Sequence, residues 1–522
     1  MTSTHRCHAV LLLGLLTSLT VMASRAAADV TLPAIFSDHM VIQREAAAVP
    51  IWGWADPGEE VQVTFDYGSS ARSQAATASA EGKWRINFGK FPAEKPFTLK
   101  IKGKNEIAIH DVVIGEVWLC SGQSNMGMSV SGAKDFEQER TAANYPQIRV
   151  FTVTSGPAEM PQDKCTGKWD VCTPDTVGHF SATAYFFGRD LHMALKVPVG
   201  LINSSVGGTP IEAWTSMHAQ RAHPELKPLE ERWVKMEAGW EAGKAQEKYE
   251  HDLAAWKETA AKAKADGKLA PRQPTKPAEP RLSDHHPATL FNGKIAPLIP
   301  FAIRGAIWYQ GESNAGNEAN LYGLQLETLV RDWRTRWGEE DFPFAWVQLP
   351  NFQKPQIAPV ENGGWPLVRE GMLNDLKLPN TGMAITIDIG EANNIHPHDK
   401  QDVGKRLAMW ALAKVYGEKG ASSGPSPAGH EVQGSTMILS FKNADEGLVA
   451  KGGDLKGFAI AAADKKWHKA EAKIDGEHVV VSSPEVKEPV AVRYAWASNP
   501  DCNLYNGAGL PASPFRTDDW AQ

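Results

Sequence analysis

Residues 115–127 have the sequence GEVWLCSGQSNMG, in which an apolar run, residues 117–120, is followed within four residues by a serine, Ser124. A short apolar run that ends at Gly, Gln, Ser and Asn is typical of a buried strand that enters a turn. A serine in such a turn is usually a helix cap, so Ser124 alone does not indicate an enzyme. Whether Ser124 is a nucleophile has to be judged from the other segments of the sequence.

Further apolar runs follow this one, and helical patterns lie between them. The predicted strands are residues 116–120, 199–203, 303–309, 344–349 and 383–388, and the predicted helices are residues 182–195, 321–337, 366–376 and 399–415. Because apolar strands that alternate with helices form a parallel sheet covered on both faces, this part of the chain predicts an α/β domain. Ligands of such sheets lie outside the carboxyl ends of the strands, so the residues after each strand are the candidate site.

Short alternating runs without helices lie on both sides of this domain. They predict a β-sandwich-like module over residues 29–112 and a β-rich module over residues 421–522, which leaves residues 113–420 for the α/β domain. Within it, residues 223–285 are rich in Lys, Glu and Ala and end in a proline-bearing stretch. This composition predicts a helical insertion, which is either a solvated arm or a wall of the substrate cleft.

The N-terminus and the composition predict where the protein works. Residues 1–28 contain an arginine, an apolar stretch and three final alanines, which is typical of a secretory signal peptide. We therefore expect a periplasmic or secreted protein without a membrane span. The net charge of −7 argues against nucleic-acid binding. Cys165 and Cys172 are close enough in sequence for a disulfide. The sequence contains no C-x-x-C pair, so we expect no structural zinc site.

Polar residues follow four of the predicted strands. They are Gly122-Gln123-Ser124-Asn125, residues 203–209 (NSSVGGT), residues 310–314 (QGESN) and residues 393–398 (NNIHPH). Together these segments meet the needs of acyl transfer, with Ser124 as nucleophile and His396 as base. The oxyanion donors would be the backbone N–H groups of Ser124 and Gly207 and the side-chain amide of Gln310 or Asn314. Met126 excludes the G-x-S-x-G nucleophile elbow, which needs glycine at that position.

The segments GQSNM, SSVGGT, WYQGESN and IHPHDKQDVGKRLA resemble, in this order, the motif blocks of SGNH-type hydrolases. They are most similar to the sialate O-acetylesterase-like branch, which is related to esterases of acetylated xylan and xyloglucan. The resemblance spans roughly residues 115–415 and extends into both flanking modules. It implies a flavodoxin-like, three-layer αβα hydrolase domain in which Ser124 is the nucleophile, His396 the general base and Gly207 an oxyanion donor.

Two positions depart from the general SGNH pattern. Residue 313 is Ser where the pattern has an oxyanion asparagine, so Gln310 or Asn314 must substitute. Asn393 stands three residues before His396, where the pattern has an aspartate. Because an amide carries no negative charge, the carboxylate that orients His396 must come from elsewhere or be absent. Glu312 is the first candidate and Asp388 the second.

The resemblance implies a carbohydrate O-acetylesterase that needs no cofactor and acts on acetylated sialic acid or acetylated hemicellulose. A metal site at His396, His398 and Asp388 is an alternative, but it leaves Ser124 and Gly207 without a role. Two other functions remain open. The missing aspartate of the last block is compatible with a carbohydrate-binding protein on an inactive hydrolase scaffold, and the serine and histidine are compatible with a lipase-like or thioesterase-like short-chain esterase. The oligomeric state is not predicted.

Overall fold

A computed structural model describes residues 29–91, 96–268, 270–277, 279–316 and 318–520. The predicted signal peptide, residues 1–28, lies outside the described residues. Within the described ranges, no helix is long and apolar enough to cross a membrane.

The N-terminal part of the chain is built from strands that pair mostly antiparallel, as its alternating sequence predicts, although its first strand pairs parallel with its last. The strands are β1 (Val41–Gln43), β2 (Val49–Trp54), β3 (Glu60–Asp66), β4 (Ala71–Thr77), β5 (Lys83–Phe88), β6 (Phe97–Lys102) and β7 (Glu106–Gly122). β2 pairs with β5, and β3 pairs with β4 and β6. In β3, Val61, Val63 and Phe65 are buried while the residues between them are not, because one face of this sheet lies on the core.

The central part of the chain alternates strands and helices. Its elements are α1 (Ser124–Gly127), α2 (Phe136–Ala142), β8 (Tyr145–Val153), β9 (Gly167–Cys172), α3 (Ala182–Leu195), β10 (Val199–Ser205), α4 (Met217–Arg221), α5 (Lys227–Ala238), α6 (Ala242–Ala265), β11 (Gly305–Tyr309), α7 (Tyr322–Trp337), β12 (Phe344–Val347), α8 (Gly364–Asn374), β13 (Thr381–Ala384) and α9 (Lys400–Lys414). The strand order is β13-β12-β11-β7-β10-β8-β9, and every pairing in it is parallel except that of β8 with β9. The order β10-β7-β11-β12-β13 is the flavodoxin-like order 2-1-3-4-5, so the predicted α/β fold is confirmed.

Both faces of this sheet are covered, which gives the expected three layers. Successive side chains of a strand point to opposite faces. Val117 and Leu119 of β7 belong to the hydrophobic core that includes Leu326 and Trp333 of α7 and Met372 of α8. Trp118 and Cys120 belong to the core that includes Phe187 of α3 and Leu407 and Trp410 of α9. Residues 117–120 of the strand are therefore all apolar, as is typical of a strand segment buried on both faces.

The strand β7 is shared between the N-terminal module and the α/β domain. It is 17 residues long. Its first half pairs antiparallel with β6, and its second half pairs parallel with β10 and β11. The domain boundary that the sequence predicts near residue 112 falls inside this continuous strand.

The C-terminal part is again β-rich. Its strands are β14 (Ser426–Gln433), β15 (Thr436–Lys442), β16 (Leu448–Ala450), β17 (Phe458–Ala461), β18 (Trp467–Lys469), β19 (Glu471–Asp475), β20 (His478–Ser482), β21 (Ala491–Tyr494), β22 (Leu504–Asn506) and β23 (Phe515–Arg516). Arg369 of α8 ties these strands to the sheet. Its buried guanidinium donates to the carbonyls of Leu349 and Pro350 after β12 and to those of Ala497 and Ser498 of the C-terminal module.

The insertion is helical, as its composition predicts, and consists mainly of α5 and α6. No described residue of α6 is buried. Trp256 of α6 donates from Nε1 to the carbonyl of Pro271 at 2.7 Å, so the proline-bearing stretch is held against this helix.

The described chain contains four cysteines, Cys120, Cys165, Cys172 and Cys502, and all four are free thiols. The disulfide that the spacing of Cys165 and Cys172 allows is not formed. Cys172 is the last residue of the extended strand β9, which begins two residues after Cys165 and is about 16 Å long. A disulfide needs Cα atoms less than about 7 Å apart.

Candidate active site

Ser124 lies at the carboxyl end of β7, where the chain makes a tight turn. Gly122 has φ +141°, and a Cβ atom at this position would lie 2.1 Å from the carbonyl oxygen of Tyr309, the last residue of β11. Only glycine allows β7 to end so close to its neighbour. The backbone N–H of Gln123 donates to the same carbonyl at 2.9 Å, and Ser124 then begins α1. Ser124 therefore lies between β7 and β11, where the strand order reverses and ligands of such sheets bind.

The predicted nucleophile and the predicted base are in contact. Ser124 Oγ and His396 Nε2 are 2.8 Å apart, although the two residues are 272 positions apart in the sequence. His396 lies in the loop between β13 and α9. Asn394 fixes this loop, because its Oδ1 accepts from the backbone N–H of His396 at 3.0 Å and its Nδ2 donates to the His396 carbonyl at 2.8 Å.

His396 is suited to accept a proton. Burial lowers the pKa of its ring below the usual 6.5, and the positive charge of Lys400 lowers it further. Both effects disfavour the cationic form of the ring. His396 is therefore neutral at pH 7, with Nε2 available as a base toward Ser124.

Neither predicted carboxylate contacts His396. Asp388 accepts two hydrogen bonds from Arg406 of α9, at 2.6 and 2.9 Å, and a third from the Tyr505 hydroxyl at 3.2 Å. The expectation that Asp388 orients the histidine is thus not met, because this carboxylate joins α9 to the C-terminal module. Within the part of the chain that the structure describes, no carboxylate bonds to Nδ1 of His396.

Glu312 bonds to Asn125, the residue that follows the proposed nucleophile. Its Oε1 accepts from Asn125 Nδ2 at 2.5 Å, and its Oε2 is buried without a hydrogen-bond partner among the described residues. Burial raises the pKa of Glu312, against the opposing effect of the Asn125 hydrogen bond. Asn125 Nδ2 also donates to the carbonyl of Ile395 at 2.9 Å. Glu312 therefore reaches His396 only through Asn125 and the backbone of residue 395.

A buried lysine completes this network on the other side of Asn125. Lys400 Nζ donates to Asn125 Oδ1 at 2.8 Å and to the Pro397 carbonyl at 2.5 Å. Burial lowers the pKa of Lys400 to about 8. The roles of Asn125 and Lys400 are not predicted from the sequence, although both residues lie inside the quoted motifs. Their contacts join the first and last motifs of the domain, and no local pattern reveals a pairing over that distance.

Gly207 lies against the nucleophile, as expected for an oxyanion donor. A Cβ atom on Gly207 would lie 3.4 Å from Ser124 Cβ. Val206 holds this turn in place, since its backbone N–H donates to the Gly122 carbonyl at 3.1 Å. Among the described residues, the backbone N–H groups of Ser124 and Gly207 have no hydrogen-bond acceptor, so both are available to a ligand.

The side chains of Gln310 and Asn314 are already engaged within the protein. Gln310 Nε2 donates to the Thr209 carbonyl at 3.2 Å and to Asn314 Oδ1 at 2.7 Å. Asn314 Nδ2 in turn donates to Glu212 Oε2 at 2.9 Å. In this structure the two amides thus hold the segment after Gly207, and the expected third oxyanion donor is not free at either position.

His398, the other half of the hypothetical metal pair, is at the rim of the site. Its Nδ1 lies 2.7 Å from Glu391 Oε1, and about half of its side chain is exposed. It therefore pairs with a carboxylate on its own loop rather than with His396.

Comparisons with known proteins show which family the chain is similar to. The sequence model of a family described as carbohydrate esterase, sialic acid-specific acetylesterase, matches residues 114–264 and 292–413. The sialate O-acetylesterase of Mus musculus is 30% identical over 92% of each chain, and that of Homo sapiens is 30% identical over 97% of this chain and 96% of its own. A solved structure of a carbohydrate acetylesterase from Xanthomonas citri is 35% identical, with a TM-score of 0.78, and covers 94% of this chain and 100% of its own.

Proposed function

The chain belongs to the carbohydrate esterase family of sialic acid-specific acetylesterases and is a carbohydrate O-acetylesterase; we propose that Ser124 is its nucleophile and His396 its general base. The observation that carries this proposal is the 2.8 Å contact between Ser124 Oγ and His396 Nε2. A serine hydroxyl attacks an ester only when a base removes its proton, and this contact provides the path for the proton.

In the first step, Ser124 Oγ attacks the acetyl carbonyl carbon while His396 Nε2 accepts the hydroxyl proton. The backbone N–H groups of Ser124 and Gly207 donate to the oxyanion that forms. The imidazolium then gives its proton to the departing sugar hydroxyl, which leaves an acetyl ester on Ser124. A water molecule, deprotonated by the same ring nitrogen, attacks the carbonyl carbon of this ester. The bond from that carbon to Ser124 Oγ then breaks, the imidazolium returns its proton to Ser124 Oγ, and acetate leaves.

Glu312 supports His396 indirectly in this mechanism. The Asn125 amide bonds both to Glu312 and to the carbonyl of Ile395, the residue before His396. A fixed Ile395 carbonyl restrains the backbone from which the catalytic ring projects. Glu312 is thus a positioning residue that acts through Asn125, in place of the direct carboxylate partner that SGNH-type hydrolases generally have.

The substrate of the proposed reaction is an acetyl ester on a sugar hydroxyl, carried by sialic acid or by a hemicellulose such as xylan or xyloglucan. The mammalian relatives are sialate O-acetylesterases, which favours sialic acid, and the Xanthomonas citri relative is a carbohydrate acetylesterase, which favours a sugar ester in general. Membership of an esterase family disfavours the two alternatives from the sequence, an inactive carbohydrate-binding scaffold and a lipase-like enzyme. Residues 1–28 lead us to propose that the enzyme acts in the periplasm or outside the cell.

The test is acetate release by purified protein from acetylated sialosides, acetylated xylan and acetylated xyloglucan. We expect Ser124→Ala to lower kcat at least about 10³-fold on every substrate that the unaltered enzyme cleaves. Ser131→Ala is the matched control, because this serine is exposed and its hydroxyl bonds, among the described residues, only to that of Ser129. Near-normal acetate release by Ser124→Ala would refute the proposed nucleophile.

A further inference from the structure

The turn of residues 206–209 carries Gly207, the proposed oxyanion donor, and side-chain hydrogen bonds hold this turn in shape. Thr209 Oγ1 donates to the Val206 carbonyl at 2.8 Å, which closes the turn on itself. The carbonyl of Thr209 accepts from Gln310 Nε2 at 3.2 Å. The turn is therefore held from outside by Gln310, the residue that directly follows β11.

The side-chain amide of Gln310 is held in one orientation by its own neighbours. Its Nε2 also donates to Asn314 Oδ1 at 2.7 Å, and its Oε1 accepts from the Tyr322 hydroxyl at 2.9 Å. The backbone N–H of Ile211 donates to the same oxygen of Asn314 at 3.0 Å. Because a backbone N–H can only donate, the atom of Asn314 on this side must be the oxygen. Gln310 must then present its NH₂ group to that oxygen.

Glu212 fixes the other side of the Asn314 amide. Asn314 Nδ2 donates to Glu212 Oε2 at 2.9 Å, and Gln325 Nε2 donates to the same oxygen at 3.2 Å. An oxygen that accepts from two N–H groups is an acceptor whether the carboxyl group is ionised or protonated. Glu212 therefore requires the NH₂ group of Asn314 on its side, which leaves Oδ1 for the two donors on the opposite side.

The position of Glu212 is itself fixed by the fold. The residue is buried, and its carbonyl accepts from Gln220 Nε2 at 2.8 Å and from the backbone N–H of Ala288 at 2.9 Å. Ala288 lies on the chain that returns from the helical insertion. The base of the insertion thus holds the residue that orients Asn314.

We propose that Glu212 and Asn314 are positioning residues that hold the turn of Gly207 in its oxyanion-binding conformation. The inference rests on the proposed roles of Ser124 and Gly207. An oxyanion donor is effective only when it is fixed before the reaction, and a displacement of about 1 Å can cost up to about 100-fold in rate. Both residues act on the turn through Gln310 and the backbone of the following segment, so neither is a catalytic residue.

The first test separates the hydrogen-bond acceptor of Glu212 from its volume. Glu212→Met keeps a side chain of similar length but has no such acceptor, so we expect kcat for acetate release to fall about 10-fold or more with KM nearly unchanged. Glu212→Gln keeps an oxygen that can accept from Asn314, so it should retain most of kcat. A residue that only fills space would tolerate the two substitutions equally.

The second test exchanges the donor and the acceptor. Asn314→Asp places a carboxylate oxygen against the acceptor oxygen of Glu212, so we expect it to lower kcat up to about 100-fold. Glu212→Gln combined with Asn314→Asp restores the pair in reverse, because the new amide at position 212 donates to the new carboxylate at position 314. The other oxygen of that carboxylate still accepts from Ile211 and Gln310. The double variant should therefore be more active than Asn314→Asp alone by about 10-fold or more.

A sulfur-containing ester tests whether these losses arise at the oxyanion. The substrates are 4-nitrophenyl acetate and its thionoester analogue, in which sulfur replaces the carbonyl oxygen. Sulfur is a weaker hydrogen-bond acceptor, so the thionoester gains less from the donors of the turn. In Glu212→Met and Asn314→Asp, the ratio of kcat for the two esters should therefore fall toward the ratio of their uncatalysed hydrolysis rates. A general disturbance of the fold would lower both rates by the same factor.

Asn503→Asp is the matched control. Asn503 also accepts from a backbone N–H through Oδ1, that of Lys456 at 2.8 Å, and donates through Nδ2, to the Lys451 carbonyl at 3.0 Å, but it lies in the C-terminal module. This substitution should leave kcat per folded molecule and the ratio for the two esters unchanged. Thermal unfolding of each variant gives the folded fraction.

Three results would overturn the proposed positioning role. They are an unaltered kcat in Glu212→Met, equal losses in Glu212→Met and Glu212→Gln, and a reduced kcat in Asn314→Asp with an unchanged ratio for the two esters. Failure of the catalytic assignment is a separate result, namely activity in Ser124→Ala.

Discussion

Ser124 and Asn125 are neighbours in the sequence, but their side chains contact different residues of the site. The Ser124 hydroxyl faces His396, whereas the Asn125 side chain points behind it, to Glu312 and Lys400. A carboxylate with a raised pKa and a lysine with a lowered pKa thus flank one amide. The amide satisfies both groups and holds the loop that carries the base, which explains how the site is ordered without a carboxylate on the His396 ring.

The charge of Lys400 should be visible in the acid limb of the pH profile. Because this charge lowers the pKa of His396, Lys400→Met should raise that pKa, and the pH at which activity reaches half its maximum on the acid side should increase. The measurement is kcat/KM for acetate release between pH 4 and 8. Lys414→Met, at the other end of α9, is the control and should leave the acid limb in place. An acid limb that is unchanged in Lys400→Met, or that moves to lower pH, would show that the charge of Lys400 does not lower the pKa of His396.

Residue types at the site could be predicted from the sequence, but not all of their partners could. Asp388 stands at the end of the fifth predicted strand, where a catalytic carboxylate is expected, yet Arg406 from the next helix neutralises it. Gln310 and Asn314 have the amides that an oxyanion needs, but these amides bond to the backbone and to Glu212. In each case the deciding partner lies on another element, and its approach depends on tertiary packing that a local pattern does not encode.

Most predicted strands and helices of the central domain are confirmed because their signals are strong, but the strand predicted at residues 383–388 is displaced, since β13 ends at Ala384. The sequence predicts a helix at residues 182–195, and α3 is Ala182–Leu195. The missed strands β8 and β9 have weaker patterns. β8 contains Pro146 and the charged Arg149, and β9 alternates polar and apolar residues on the antiparallel edge of the sheet. An apolar run is the signature of a strand covered on both faces, so strands near the edge are harder to identify.

At the scale of one element, the turn after β7 depends on a single glycine. Gly122→Ala would place a Cβ atom 2.1 Å from the Tyr309 carbonyl oxygen in a backbone conformation that other residues avoid. We expect it to lower the free energy of unfolding by about 3 kcal/mol or more, and to reduce kcat because Ser124 is displaced. Urea unfolding and acetate release measure the two effects.

Gly58→Ala separates the steric clash from the conformational cost. Gly58 also has a positive φ, +80°, but a Cβ atom there meets nothing within 4 Å. Its substitution should cost only about 1 kcal/mol and leave kcat unchanged. Equal losses of unfolding free energy in Gly122→Ala and Gly58→Ala would show that the close approach of β7 and β11 does not cause the loss at Gly122.

At the scale of the whole molecule, Arg369 joins the α/β domain to the C-terminal module. Its guanidinium is fully buried and has four backbone carbonyls as acceptors, two from each part of the protein. Burial lowers its pKa to about 9. Arg369→Met would leave four carbonyls without donors, so we expect a loss of about 3 kcal/mol in the free energy of unfolding.

The control for Arg369→Met is Arg331→Met. Arg331 forms an exposed pair with Glu327 one turn away on α7, and such a pair contributes less than about 1 kcal/mol. Because Arg369 does not contact Ser124 or His396, the folded fraction of Arg369→Met should keep its kcat. Two separate unfolding transitions in this variant, and a single one in the unaltered enzyme, would identify Arg369 as the residue that couples the two parts. A change in unfolding free energy below about 1 kcal/mol would refute that role.

The continuous strand β7 has a consequence for how this architecture changes in evolution. One end of the strand belongs to the N-terminal module, and the other ends two residues before the nucleophile. Adding or deleting one residue within it would turn every later side chain to the opposite face of the sheet, which exchanges the two cores. An N-terminal module can therefore be replaced by recombination only if the new module supplies its half of this strand in the same register, so the module and the nucleophile are inherited together.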